Sequence, residues 1–146
     1  MIGKDLKRMA WAAAVGVSWL IVVASVADVA GQVRDASDGW QIPEGASAEQ
    51  SPVPANIAVI ARGKGLYQSK CQRCHGADGA GRGPQADPDH PPADLSDARR
   101  ASRNPDGVMF YKIWNGRSKP RMPAMKSEVS AADVWAIVHY VKTLRK

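Results

Sequence analysis

Three segments of the chain carry apolar residues at helical spacing, and no alternating, strand-like pattern persists between them. In NIAVIARGKGLYQSKC, residues 56–71, Ile60, Gly63, Tyr67 and Cys71 fall on one face, and Asn56 is placed to cap the N-terminus. NPDGVMFYKIWNG, residues 104–116, has Asn104 as a cap, Pro105 at the first helical position and Gly116 just past the end. SAADVWAIVHYVKTLRK, residues 130–146, opens with the capping box Ser130-x-x-Asp133. Its apolar stripe is Val134, Ile137/Val138, Val141 and Leu144, and its basic end suits the helix dipole. The pattern predicts an all-α domain over residues 56–146, about three to five helices joined by long Pro/Gly-rich loops.

Upstream of residue 56 the pattern changes twice. Lys4, Lys7 and Arg8 precede Ala10–Ala27, eighteen residues without a charge. Basic residues ahead of an apolar run are the layout of an export signal, and Ser25-Val26-Ala27 offers a small-residue cleavage site before Asp28. The run is long for a cleaved signal and short of the roughly 20 residues a spanning helix wants. Residues 1–27 are therefore expected to be a signal peptide or an N-terminal membrane anchor. In both cases the basic end stays inside, which puts the rest of the chain in the periplasm or on the outer face of the cytoplasmic membrane. Residues 28–55 have no period and are rich in Ser, Gly, Ala, Asp and Pro, as a flexible linker would be. Trp40 and Pro43 stand out from it; a lone Trp there could dock on the domain, but an untidy linker is the expected reading.

Charge and size add two constraints. The 146 residues carry a formal charge of +6, and residues 56–146 alone hold 16 basic against 8 acidic side chains. Such an excess suits nucleic acid, an anionic membrane or an acidic protein partner, and does not choose among them. A domain of 91 residues buries little apolar surface and usually needs a staple. A disulfide between the chain's two cysteines, three residues apart, would close a trivial loop and gain little.

Those cysteines lie in Cys71-Gln72-Arg73-Cys74-His75. A thioredoxin-like dithiol would need a strand before it and a βαβ context. A zinc site needs four ligands, normally from two such half-sites, and His90 and His139 are not at a finger's spacing. C-x-x-C-H is also the signature of covalent haem attachment. Positions i, i+3 and i+4 share a helical face. One turn can therefore present two sulfurs to the vinyl groups of a porphyrin and an imidazole to its iron. Haem c, one per chain, would also be the missing staple.

On these residues the chain resembles the class I, monohaem c-type cytochromes in their small bacterial form, over about residues 56–146. Gly63, Tyr67 and Cys71 repeat the family's spacing of glycine, aromatic residue and first cysteine, and CHGADGAGRGP, MPAM and DVWAIVHYV are similar to its pattern. The resemblance implies that the first helix crosses closely over the last at Gly63, against Ile137 and Tyr140. It also implies that Pro84 supplies the carbonyl that orients His75, and that the axial methionine stands in a Met-Pro context. Met122 fits that context, in a loop pinned by Pro120 and Pro123. Met125, His90, His139 and Met109 are the other candidates. Met109 reads as core filler, and His139 lies on a face that reads as solvated. Trp114, Arg99 and Arg100 are candidate donors to the propionates.

The expected function is electron transfer between redox partners, because a haem with both axial positions filled has no vacant site for substrate. The basic domain would favour partners with an acidic docking face. A fixed subunit of a dehydrogenase or oxidase complex is the alternative within that function, and a haem enzyme or ligand sensor with an open sixth position is the alternative outside it.

Overall fold

The computed structural model describes residues 32–35 and 39–146. The apolar run Ala10–Ala27, with its export-signal or anchor reading, lies outside the described residues. Among the described residues no helix is long and apolar enough to cross a membrane. In chain order the elements are β1 (Gln32–Asp35), β2 (Trp40–Pro43), a 3-10 turn (Glu44–Ala48), α1 (Ile57–Lys70), α2 (Gln72–His75), α3 (Ala98–Ala101), α4 (Asp106–Asn115) and α5 (Ala131–Thr143). Among the described residues, five α-helices and one short antiparallel ladder, β1 against β2, bear out the all-α class.

The helix ends follow their local chemistry. Asn56 Oδ1 accepts the Val59 amide at 2.9 Å and starts α1. At α5 both halves of the capping box form between Ser130 and Asp133. α4 starts one residue later than its sequence predicts. Pro105 takes the cap position with extended backbone, while the Asn104 side chain is drawn away to the Arg100 carbonyl and the Lys112 ammonium.

α1 crosses α5 at Gly63. A Cβ there would lie 2.0 Å from the Ala136 carbonyl oxygen, so only glycine allows this approach. One turn on, Tyr67 is fully buried and its ring lies 5.3 Å from that of Tyr140. α4 covers another side of α5, where Phe110 stacks on Trp135 with 4.5 Å between centroids. α5 is thus buried well beyond its predicted stripe, with Trp135, Ala136 and His139 enclosed as well. His139 corrects the solvated-face expectation. It is 7% exposed, and its Nε2 lies 3.1 Å from the Val53 carbonyl, an acceptor, so this nitrogen carries the proton. The Ser51 hydroxyl lies 2.9 Å from the same nitrogen.

That contact, and those of β2, also correct the linker expectation for residues 40–53. Trp40 and Ile42 alternate inward along β2, and with Ala46 they pack on Val108, Tyr111 and Met122. Gly107 admits the 3-10 turn, since a Cβ there would lie 2.1 Å from the Ala46 carbonyl oxygen. This stretch is a strap on the domain.

Candidate haem site

α1 runs directly into the cysteine–histidine turn. The amides of Cys74 and His75 both bond back to the Cys71 carbonyl, at 3.1 and 2.9 Å, which closes one helical turn around the three side chains. Gly76, with φ +80°, ends it. A glycine-rich loop then braces the turn from outside. The amides of Gly81, Gly83 and Gln85 bond to the carbonyls of His75, Cys74 and Arg73, at 2.8, 3.0 and 2.7 Å. Gly83 lets this loop come close, because a Cβ would sit 2.4 Å from the Arg73 carbonyl oxygen. The buried Tyr67 hydroxyl donates to the Gly76 carbonyl at 2.7 Å and ties the end of the turn to α1. The GADGAGRG stretch is therefore a clamp on the carbonyls of Arg73, Cys74 and His75.

The ring of His75 is oriented by Ala93. Its Nδ1 lies 3.2 Å from the Ala93 carbonyl, which can only accept, so Nδ1 donates and Nε2 keeps the lone pair. Burial pushes this imidazole below its ordinary range, and the Ala93 bond offsets part of that fall. A neutral ring with Nε2 free for a metal is the required state of a ligating histidine. Pro84, expected to supply the carbonyl, is exposed in the bracing loop. The chain reaches His75 further on, at Ala93, where the Leu95 amide anchors it by bonding to the Gly79 carbonyl at 2.7 Å. Burial pushes the Cys71 thiol up to about 12, with the neighbouring Cys74 adding to the rise.

Cys71, Cys74 and His75 open on a cavity of about 450 Å³, within the range of cofactor pockets. Its apolar wall includes Leu95, Met109, Ile113, Ile137 and Val141, and in its charged lining Asp87, Asp94 and Asp97 are outnumbered by basic residues such as Arg73, Arg100 and Arg145. An apolar slot with two sulfurs and an imidazole at one side and cations around it fits a porphyrin with two carboxylate arms. Of the proposed propionate donors, Arg100 lines this cavity. Trp114 stacks on Phe110, and Arg99 pairs with Asp97, so neither reaches it. Met122, Met125, Met109 and His90 all line the cavity, and His139 does not. Met122 is held by a backbone pair with Arg117, 2.9 Å in each direction. Met125 is 6% exposed and bonds through its amide to the Ile113 carbonyl.

Two contributors leave little or no mark in the sequence. Ala93 acts through its backbone, which leaves no mark in residue type. Trp40 lines the cavity from the strap, and the unusual Trp in a Ser/Gly/Pro stretch was its one signal.

The family described as cytochrome C oxidase, cbb3-type, subunit III matches residues 58–141, more than half of the sequence. The chain belongs to this family. The cytochrome is also similar to a chain of the Kuenenia stuttgartiensis reducing HAO-like protein complex Kustc0457/Kustc0458, with 27% identity and a TM-score of 0.55 over 65% of this chain and 47% of that one. It thus spans about half the length of that relative. The KustC0563 c-type cytochrome aligns with 26% identity and a TM-score of 0.51, over 57% of this chain and 98% of its own. No curated protein shows a significant match. The domain is a class I c-type cytochrome.

Proposed function

We propose that the cytochrome carries one haem c, joined through thioethers to Cys71 and Cys74, with His75 and Met122 as axial ligands, and passes single electrons between redox partners. When bound, the haem supplies the Fe(II)/Fe(III) couple. The observation that carries the proposal is the single braced turn in which both cysteines and a neutral, oriented His75 open on the cavity that Met122 also lines. The protein's own part is positional. Ala93 fixes the imidazole plane, the glycine clamp fixes the turn, and the apolar wall keeps water from the ring. Arg73 and Arg121, both exposed at the cavity mouth, are placed to attract a partner with an acidic docking face, in an encounter that weakens with salt.

Covalent attachment predicts that the denatured chain keeps peroxidase-active haem stain on a gel and that Cys71→Ala with Cys74→Ala abolishes it. Haem that extracts into acidic organic solvent from the unmutated chain would sink the claim. For the axial ligand, Met122→Ala should lose the sulfur-to-iron charge-transfer band and begin to bind carbon monoxide when reduced. Met125→Ala and His90→Ala should leave the spectrum nearly intact.

A second reading keeps electron transfer but makes the cytochrome a fixed subunit of an oxidoreductase complex. The family description and the HAO-like complex support it, and co-purification of a redox complex with the membrane fraction tests it. Export, with residues 1–27 as signal peptide or anchor ahead of the domain, is supported by the basic start and apolar run. An intact N-terminus on washed membranes identifies the anchor, and one at Asp28 in soluble periplasm identifies cleavage.

A further inference from the structure

The strap is tied to the methionine loop through one aromatic ring. Trp40 is 7% exposed, with the Arg117 guanidinium 4.6 Å and the Lys112 ammonium 5.4 Å from its ring centroid. Both distances lie within the range where a ring face attracts a cation. Lys112 belongs to α4, and Arg117 opens the loop that carries Met122. The Arg117 backbone pairs with Met122 in both directions, and its Nε donates to the Pro120 carbonyl at 3.0 Å. The Met122 side chain itself packs on the cluster of Trp40, Ile42, Ala46 and Val108. The strap therefore meets the loop at Arg117, and Met122 packs on the cluster to which the strap contributes.

We propose that Trp40 is a positioning residue for the Met122 loop, and that the strap sets how readily the position opposite His75 opens to other ligands. The proposal rests on reading Met122 as the axial ligand. Its physical basis is a closed loop whose alternative is to swing away from the cavity. In the closed state Trp40 lies over the loop's own cation, Arg117, and belongs to the cluster on which Met122 packs. Removing the ring uncovers the cation and thins the cluster, and the opened population rises. A tenfold rise corresponds to about 1.4 kcal/mol, the scale of two such cation–ring contacts. Phenylalanine keeps a ring face for Arg117 and should retain most of the hold.

The test uses full-length holoprotein of the unmutated chain, Trp40→Ala, Trp40→Phe, Arg117→Gln and Met122→Ala. Three quantities are read: the pH at which the ferric sulfur-to-iron band disappears, the rate of carbon monoxide binding to the ferrous protein, and guanidinium unfolding. In Trp40→Ala the band should be lost about one pH unit lower and carbon monoxide should bind about tenfold faster, the same free-energy factor. Trp40→Phe should recover most of both, and Arg117→Gln should shift both in the Trp40→Ala direction. A purely structural tryptophan would lower the unfolding midpoint and leave the band and the rate unmoved, which overturns the proposal. If Trp40→Ala yields no holoprotein, Trp40→Leu, which keeps apolar cover but offers no ring face to Arg117, decides in the same terms. A band that survives Met122→Ala overturns the ligand reading and the proposal with it. A band lost in Met122→Ala but unmoved in Trp40→Ala overturns the strap's role alone.

Discussion

Placing an alanine at Gly63 challenges the helix crossing from which the haem turn hangs. The added Cβ would lie 2.0 Å from the Ala136 carbonyl oxygen and 2.5 Å from its carbon, where ordinary contact begins near 3.4 Å. α1 and α5 must then part by more than an ångström, along the face that buries Tyr67, Ile137 and Val138. Overpacking of this kind costs typically 1–3 kcal/mol, and the severity of the clash points to about 3. Better helix propensity returns about 1 kcal/mol, leaving a net loss of about 2. Gly65 lies two residues along α1, is exposed, and has nothing within 4 Å of its virtual Cβ. Gly65→Ala should therefore gain about 1 kcal/mol from propensity alone. Guanidinium unfolding of the two holoproteins, followed by far-UV circular dichroism, should separate them by about 3 kcal/mol. Equal midpoints would refute the close crossing.

Tyr67→Phe leaves the Gly76 carbonyl without its buried donor and should cost about 2 kcal/mol in the same assay, with haem still attached. The Asp133 carboxyl is held below its usual range by Arg62, against its own burial, with help from Ser130. Its contribution is complete above the unfolded value of about 3.9 and fades as pH falls through the lower folded value. Asp133→Asn should cost about 1 kcal/mol at neutral pH, and stability should then fall less steeply below about pH 4. Parallel acid limbs in the two proteins would refute this. Apoprotein made without haem-attachment machinery should be largely unfolded by circular dichroism, since the cavity would otherwise stand open inside a small core. A cooperative native-like apoprotein would count against haem as the staple.

Relations that repeat within one or two helical turns are legible in the chain of this cytochrome before it folds. The capping box at Ser130, the Gly63–Tyr67–Cys71 spacing and the cysteine–histidine turn are all i, i+3 or i, i+4 relations. They set the helices and the attachment chemistry before any long-range contact exists. The tertiary structure alone decided which distant groups meet them. A carbonyl carries no residue-type signature, so Ala93 rather than Pro84 could emerge only once the loop had folded back through Leu95 and Gly79. β2 spans four residues, too few for its alternation to read as a strand, and Trp40 gained a role only when α4 and the Arg117–Met122 pair lay beneath it. In the sequence, the single apolar stripe of α5 leaves His139 on a polar-looking face. α1, α4 and the strap enclose that helix from several directions, and burial is a property of those neighbours rather than of the helix.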